Sequence, residues 1–138
     1  MATLFKTPST GYRPPAGQYI GEFQRFEEGP ASKFLDANGE AKPTVRWVWK
    51  IYDQNTGEPI VDPVTGETAE GDGITSDATG PKSKAYGWFE AHLGRKLRNG
   101  ENMEQVEQEM VGKKVVLLYV SDSQGDGARL SVVLPYSG

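Results

Sequence analysis

Cysteine is absent from the 138 residues, which removes disulfides, thiolate metal sites and thiol nucleophiles together. Histidine occurs once, at position 92, and leaves little material for a catalytic triad or an imidazole metal cage. No apolar run approaches the roughly 18 residues a bilayer-spanning helix needs, and the stretch from Met1 to Pro8 lacks the long hydrophobic segment of a secretory signal. A cytoplasmic protein without membrane contact is therefore expected. Also missing are a G-x-x-x-x-G-K-[ST] phosphate loop, a G-x-G-x-x-G fingerprint and an H-E-x-x-H zinc motif, and Gly71-Asp72-Gly73 is too short to cradle a phosphate. Acidic pairs such as Glu27 and Glu28, or Asp53 and Asp62, sit in turn-rich sequence where solvation accounts for them. With no nucleophile and base, no metal cage and no carboxylates at defined spacing, neither an enzyme nor a cofactor is expected.

What is present suits a single β-rich domain. The chain is 36% hydrophobic and 10% aromatic, enough for one core, while 17 Gly and 9 Pro interrupt it too often for long helices. The net charge of −4 is unevenly spread: residues 1 to 26 carry +2, 27 to 77 carry −7, 78 to 99 carry +4, and 100 to 138 carry −3. An acidic total excludes a protein that coats nucleic acid through bulk positive charge, so such a partner needs a local basic surface. The one strongly basic block is Lys82, Lys84, Arg95, Lys96 and Arg98, although a solvated helix face would give the same run.

Residues 1 to 16, with Pro8, Pro14 and Pro15, read as an extended arm, and residues 17 to 138 as the folded domain. Tyr19, Gly21 and Phe23 alternate as one inward face of a first strand, and a bulge near Gln24 to Arg25 would bring Phe26 into phase. Asp36-Ala37-Asn38-Gly39 resembles the start of a calcium loop, but its Gly comes two residues early and no helices flank it. Thr44 to Tyr52 is the clearest strand: Val45, Trp47, Trp49 and Ile51 share the face that belongs in the core, opposite Arg46, Val48, Lys50 and Tyr52. Two Asp-x-x-Thr-Gly-Glu turns follow, at Asp53 and Asp62, in an acidic stretch from 53 to 73 that reads as a long loop or a ragged β-ribbon, dispensable for folding. A short strand Ile74-Thr75-Ser76 comes next. Ala85, Trp88, Phe89, His92, Leu93 and Leu97 then recur at helical spacing, with Pro81 in the first turn and Arg95, Lys96 and Arg98 near the end. His92 reads there as a packed residue. Met103 to Met110 is a second short helix or turn. Lys114 to Ser121 is nearly all apolar, which implies burial on both faces or against a partner, and Arg129 to Leu134 places Leu130, Val132 and Leu134 inward, with a hairpin turn at Asp122 to Gly127 between the two.

Strand, strand, strand, helix, strand, strand is the order of a five-stranded OB-fold barrel with an amphipathic helix between its third and fourth strands. Single-stranded nucleic acid is bound by aromatic faces beside cations that follow the phosphates. Arg46, Lys50 and Tyr52 share a strand face of that type, although any half-buried strand exposes a charge or two.

Taken together, Trp47-Val-Trp-Lys-Ile, Thr75-Ser76 followed by Gly80-Pro-Lys-Ser-Lys-Ala-Tyr-Gly-Trp-Phe, Leu93-Gly-Arg, Val111-Gly-Lys-Lys-Val and the closing Leu134-Pro135 resemble small OB-fold single-stranded DNA-binding proteins of bacteriophages and prophages. The resemblance covers about Gly17 to Tyr136. It implies a non-enzymatic protein that binds single-stranded DNA with little sequence preference in replication or recombination, in the host cytoplasm, with self-association and phage or host replication proteins as further partners. Arg46, Lys50 and Tyr52 would support bases and phosphates, and Lys82, Lys84, Arg95 and Lys96 would extend the phosphate track. The chain departs from many such proteins in its acidic 53 to 73 stretch and in lacking a long acidic tail after Pro135. A protein-interaction or structural module on the same barrel, with no nucleic-acid role, is the alternative.

Overall fold

The structure, a computed structural model, describes residues 14–29, 39–40, 43–98, 100–121 and 128–136. The calcium-like stretch at 36 to 38, the turn at 122 to 127 and most of the N-terminal arm lie outside the described residues. Five strands, β1 (Gly17–Glu28), β2 (Thr44–Asp53), β3 (Glu70–Ser76), β4 (Lys114–Ser121) and β5 (Ala128–Pro135), form one antiparallel sheet in the order β3-β2-β1-β4-β5. The sheet curls into a half-barrel. Helix α1 (Lys84–Leu93) packs against β3, β4 and β5, and α2 (Met103–Met110) against β1. Neither helix is long and apolar enough to cross a membrane.

The core follows strand parity. Trp47, Trp49 and Ile51 are buried as expected, and Val45 packs partly buried against them. Trp47 is the centre: its ring meets those of Phe23, Phe26, Trp49, Trp88, Phe89 and His92 at centroid separations of 4.7 to 6.2 Å. A bulge in β1 between Phe23 and Arg25 changes the phase of the strand, which lets Phe23 and Phe26 both face inward. A second bulge, where Leu118 pairs with Val132 but Tyr119 with Leu130, corrects the expected β5 pattern. The extra residue, Ser131, turns Leu130 and Val133 inward and puts Val132 and Leu134 outside, Leu134 being 44% exposed. On β4, Val115, Leu117 and Tyr119 are buried while Val116, Leu118 and Val120 are only half-buried, so burial on both faces does not occur among the described residues.

The acidic stretch is a ribbon and shorter than expected. Bridges pair Tyr52 with Pro59 and Val61 with Thr68, Ile60 N–H donates to Ile51 O at 3.1 Å, and Ala69, fully buried, exchanges backbone hydrogen bonds with Ile51 and Ile60. The repeated Asp-x-x-Thr-Gly-Glu makes the same turn twice. In each, the Asp carboxylate accepts the N–H two residues on, and its carbonyl accepts that of Gly57 or Gly66, which lie in the left-handed region. β3 begins at Glu70, four residues before the strand expected from the sequence. Its inward positions are Gly71, Gly73 and Thr75, and at the two glycines larger residues do not fit: a Cβ on Gly73 would lie 2.5 Å from Leu130 Cδ2 and 2.8 Å from Trp88 Cη2, and one on Gly71 2.5 Å from the Tyr119 hydroxyl. Close approach to the opposite wall therefore erased the hydrophobic alternation.

Helix α1 also ends earlier than its apolar spacing suggests. Ser83 caps it, accepting from Tyr86 N–H at 3.3 Å, and Pro81 precedes that cap, outside the first turn. Gly94, at φ 70°, closes the C-terminus. Arg95, Lys96 and Arg98 consequently leave the helix, while Leu97 still packs on the core from the following segment. Asn102 caps α2 by accepting from Glu104 and Gln105 N–H, and Glu107 of that helix accepts Phe26 N–H at 2.9 Å, tying α2 to β1.

The indole N–H groups of Trp47 and Trp49 both have partners. Trp47 Nε1 donates to Thr75 Oγ1 at 2.9 Å, and Trp49 Nε1 donates to His92 Nε2 at 2.7 Å. That bond requires His92 to be neutral with its proton on Nδ1, which donates to Trp88 O at 2.7 Å. Burial lowers the imidazole pKa from 6.5 to about 4, against the smaller opposing effect of the Trp88 carbonyl.

Two predictions follow from this packing. Trp47→Ala is expected to cost on the order of 3 to 5 kcal/mol of unfolding free energy, read from denaturant midpoints, because it empties the aromatic centre and strands the Thr75 hydroxyl. Because the folded imidazole binds its proton less readily than the unfolded one, stability should be intact above about pH 6.5 and decline as the pH falls toward 4, by as much as about 3 kcal/mol. With only one histidine in the chain, His92→Gln should flatten the slope between pH 6.5 and 5, and an unchanged slope would contradict the assignment.

Candidate nucleic-acid interface

The outer face of the half-barrel carries the residues opposite the tryptophans. Arg46, Lys50 and Tyr52 lie together there, on one face of β2, as alternation requires. They are not alone. Antiparallel register sets Glu27 of β1 beside Arg46, Glu22 beside Lys50, and Glu70 of β3 on the other side of Lys50. Arg46 Nε stands 3.2 Å from Asp72 Oδ2, an ion pair without hydrogen-bond alignment, and its Nη1 is 3.9 Å from Glu27 Oε1. Arg25, carried onto this face by the bulge, forks onto both Glu70 oxygens at 2.9 and 3.0 Å and also reaches Glu27 at 2.7 Å. Burial raises the Tyr52 pKa, and the neighbouring Glu22 carboxylate adds to the rise. Val48 lies almost fully buried beneath these side chains.

Arg25, Arg46 and Lys50 thus meet Glu22, Glu27, Glu70 and Asp72, three cations against four carboxylates. Exposed pairs of this kind contribute roughly 0 to 1 kcal/mol each to stability, but they set the field an approaching phosphate meets. A strand backbone placed here would have to displace carboxylates from the arginines.

The basic block is divided. Arg95 reaches Glu109 at 3.0 Å and Glu101 at 3.1 Å, and Glu101 also accepts Arg98 N–H at 2.9 Å. Arg95, then the Arg98 N–H, pulls the Glu101 pKa down to about 2. Arg95 therefore fastens the segment after α1 to the region of α2. Lys96 is exposed close by in sequence. Lys82 and Lys84, also exposed, flank the Ser83 cap at the other end of α1, with Lys84 Nζ 5.0 Å from the centre of the Trp88 ring.

Lys84 borders a cleft of about 290 Å³ at the seam between β3 and β5, the two outermost strands of the sheet. Gly73 and Ile74 form one wall, Ala128, Arg129 and Leu130 the other, and the Tyr119 hydroxyl spans inside, donating to Asp72 O at 3.3 Å. Arg129, exposed and directed outward opposite Val120, is a cation that belongs to no basic run, and only its place beside inward Leu130 marks it in the sequence. The seven sequence candidates therefore occupy separate places: Arg46, Lys50 and Tyr52 on the β2 face, Lys84 at the seam with Lys82 just before it in the chain, and Arg95 and Lys96 in the α1–α2 connection.

No protein-family model matches the chain, and no curated protein matches it.

If the carboxylates silence the β2 face, Glu70→Gln combined with Asp72→Asn should raise retention on a heparin column. The rise should exceed that of Glu58→Gln with Glu67→Gln, the same charge change placed on the ribbon. Equal rises would mean that only net charge is being read.

Proposed function

We propose that this chain is a non-enzymatic OB-type protein that binds single-stranded DNA with little sequence preference, of the kind found in phage replication or recombination modules. The observation that carries this reading is the strand order β3-β2-β1-β4-β5, with a bulged β1 shared by both halves and α1 between β3 and β4, beside the seam where β3 faces β5. That order is the one in which OB barrels are wound, and their oligonucleotide face is centred on the second and third strands. The Lys84 and Arg129 seam borders β3 and supplies cations beside Ile74 and Trp88, and Lys82 lies just before the same helix. The phosphates run along this seam, and Tyr52 and Lys50 contribute from the β2 face where the carboxylates allow it. Arg95 and Arg46, committed to carboxylates, contribute least.

The charge balance of the outer β1–β2–β3 face favours a second reading, a protein-interaction or structural module on the same barrel.

Titration of a fluorescein-labelled oligothymidylate and of a duplex of equal length, at two salt concentrations, separates the two readings. Single-strand preference and a steep salt dependence are expected, because stacking requires unpaired bases and phosphate contacts release counterions. Lys84→Ala and Arg129→Ala should each flatten the log–log salt slope by about 0.7, whereas Arg95→Ala should leave it unchanged. Equal affinity for duplex, or no binding at low salt, would leave the interaction-module reading standing.

A further inference from the structure

A second cleft, of about 280 Å³, opens at the end of the half-barrel where β1 ends, β2 begins and β3 runs out, beneath the two helices. Its walls are apolar: Phe26, Val45, Trp47 and Phe89 from the core, with Met103, 36% exposed, at the mouth. Its polar lining includes three carboxylates, Asp77, Glu104 and Glu107. Glu107 is held in place by the Phe26 N–H, whereas among the described residues Asp77 and Glu104 enter no ion pair and accept no hydrogen bond through their carboxylates. No lysine or arginine is among the described lining residues. Glu28, opposite Val45 in register, adds another carboxylate at the end of β1.

We infer that this cleft is the docking site for a basic peptide segment of a partner protein, one that seats a large apolar side chain against Phe26, Val45 and Phe89 and lays flanking Lys or Arg against Asp77, Glu104 and Glu107. The volume lies just under the roughly 300 to 1,000 Å³ of drug-sized ligand pockets, which suits one anchoring side chain better than a cofactor. The apolar lining supplies the burial that makes such anchors dominate an interface. The carboxylate rim selects the sign of the partner's charge and repels phosphates, so a nucleic-acid strand is the wrong occupant. The inference stands apart from the DNA reading, since it uses none of the seam residues.

The test uses the whole chain and three capped hexapeptides. One has Phe-Leu between two pairs of Lys, one has Phe-Leu between two pairs of Glu, and one has Gly-Ser between two pairs of Lys. Binding is followed by the indole N–H resonance of Trp47, which lines the cleft and donates to Thr75 on its wall. The first peptide should bind and shift that resonance, with at least tenfold weaker binding of the other two. Asp77→Lys with Glu104→Lys, both at exposed positions, should weaken the first peptide at least tenfold and improve the Glu-flanked one. Equal binding of both Lys-flanked peptides, indifference to the charge reversal, or no binding at all would overturn the proposal. So would displacement of the peptide from the Trp47 signal by oligothymidylate, or a concentration-dependent dimer abolished by the reversal, which would make the occupant a strand or a second copy.

Discussion

Two indole N–H groups that have lost access to water organise this molecule. An unpaired N–H in an apolar interior is costly, so the core can close over Trp47 and Trp49 only where acceptors are built in. Thr75 serves one from β3 and His92 serves the other from α1. These bonds tie β2, which carries both tryptophans, to β3 beside it in the sheet and to α1. The histidine must remain neutral to accept, so its protonation state is part of the fold's construction. Its ring lies nearly parallel to that of Trp49, at 12°, and meets Trp47 and Phe23 as well, so a polar side chain has become part of an aromatic core.

The shape of the sheet comes from places where strand alternation breaks. Bulges in β1 and β5 each change which residues face inward, and the first also turns Arg25 toward Glu70. Gly71 and Gly73 let β3 approach Tyr119, Leu130 and Trp88 closely enough for the sheet to curl. Each feature leaves a strand that looks weak in hydrophobic pattern while being tightly packed.

The same curl distributes the charge. Antiparallel register sets acidic residues of β1 and β3 on either side of the β2 cations, so a basic face read along one strand becomes a balanced face across three. The α1 cap at Gly94 separates the lysines before the helix from the arginines after it and sends Arg95 toward Glu101 and Glu109. Lys84 and Arg129 bring positive charge to the β3–β5 seam beside Asp72, and negative charge gathers around the apolar cleft at the C-terminal end of β3.

The β-rich class, the inward face of β2, the bulge in β1, the apolar side of α1 and the turn chemistry of the two Asp-x-x-Thr-Gly-Glu repeats were legible in the order of residues alone. All of these depend on local periodicity or on side chains that bond to their own backbone, and such signals are carried by consecutive residues. Where β3 starts, which β5 residues face the core, where α1 stops short of Leu97, and what each cation of Arg46, Lys50, Lys84 and Arg95 stands beside were settled only by folding. Those outcomes rest on contacts between residues far apart in the chain: the space left for Gly73 is set by Leu130, and the partner of Arg46 by the register of β3. A one-dimensional pattern records that a lysine or an aspartate is exposed, but only the folded sheet brings the carboxylate to the cation and fixes the field that a ligand meets.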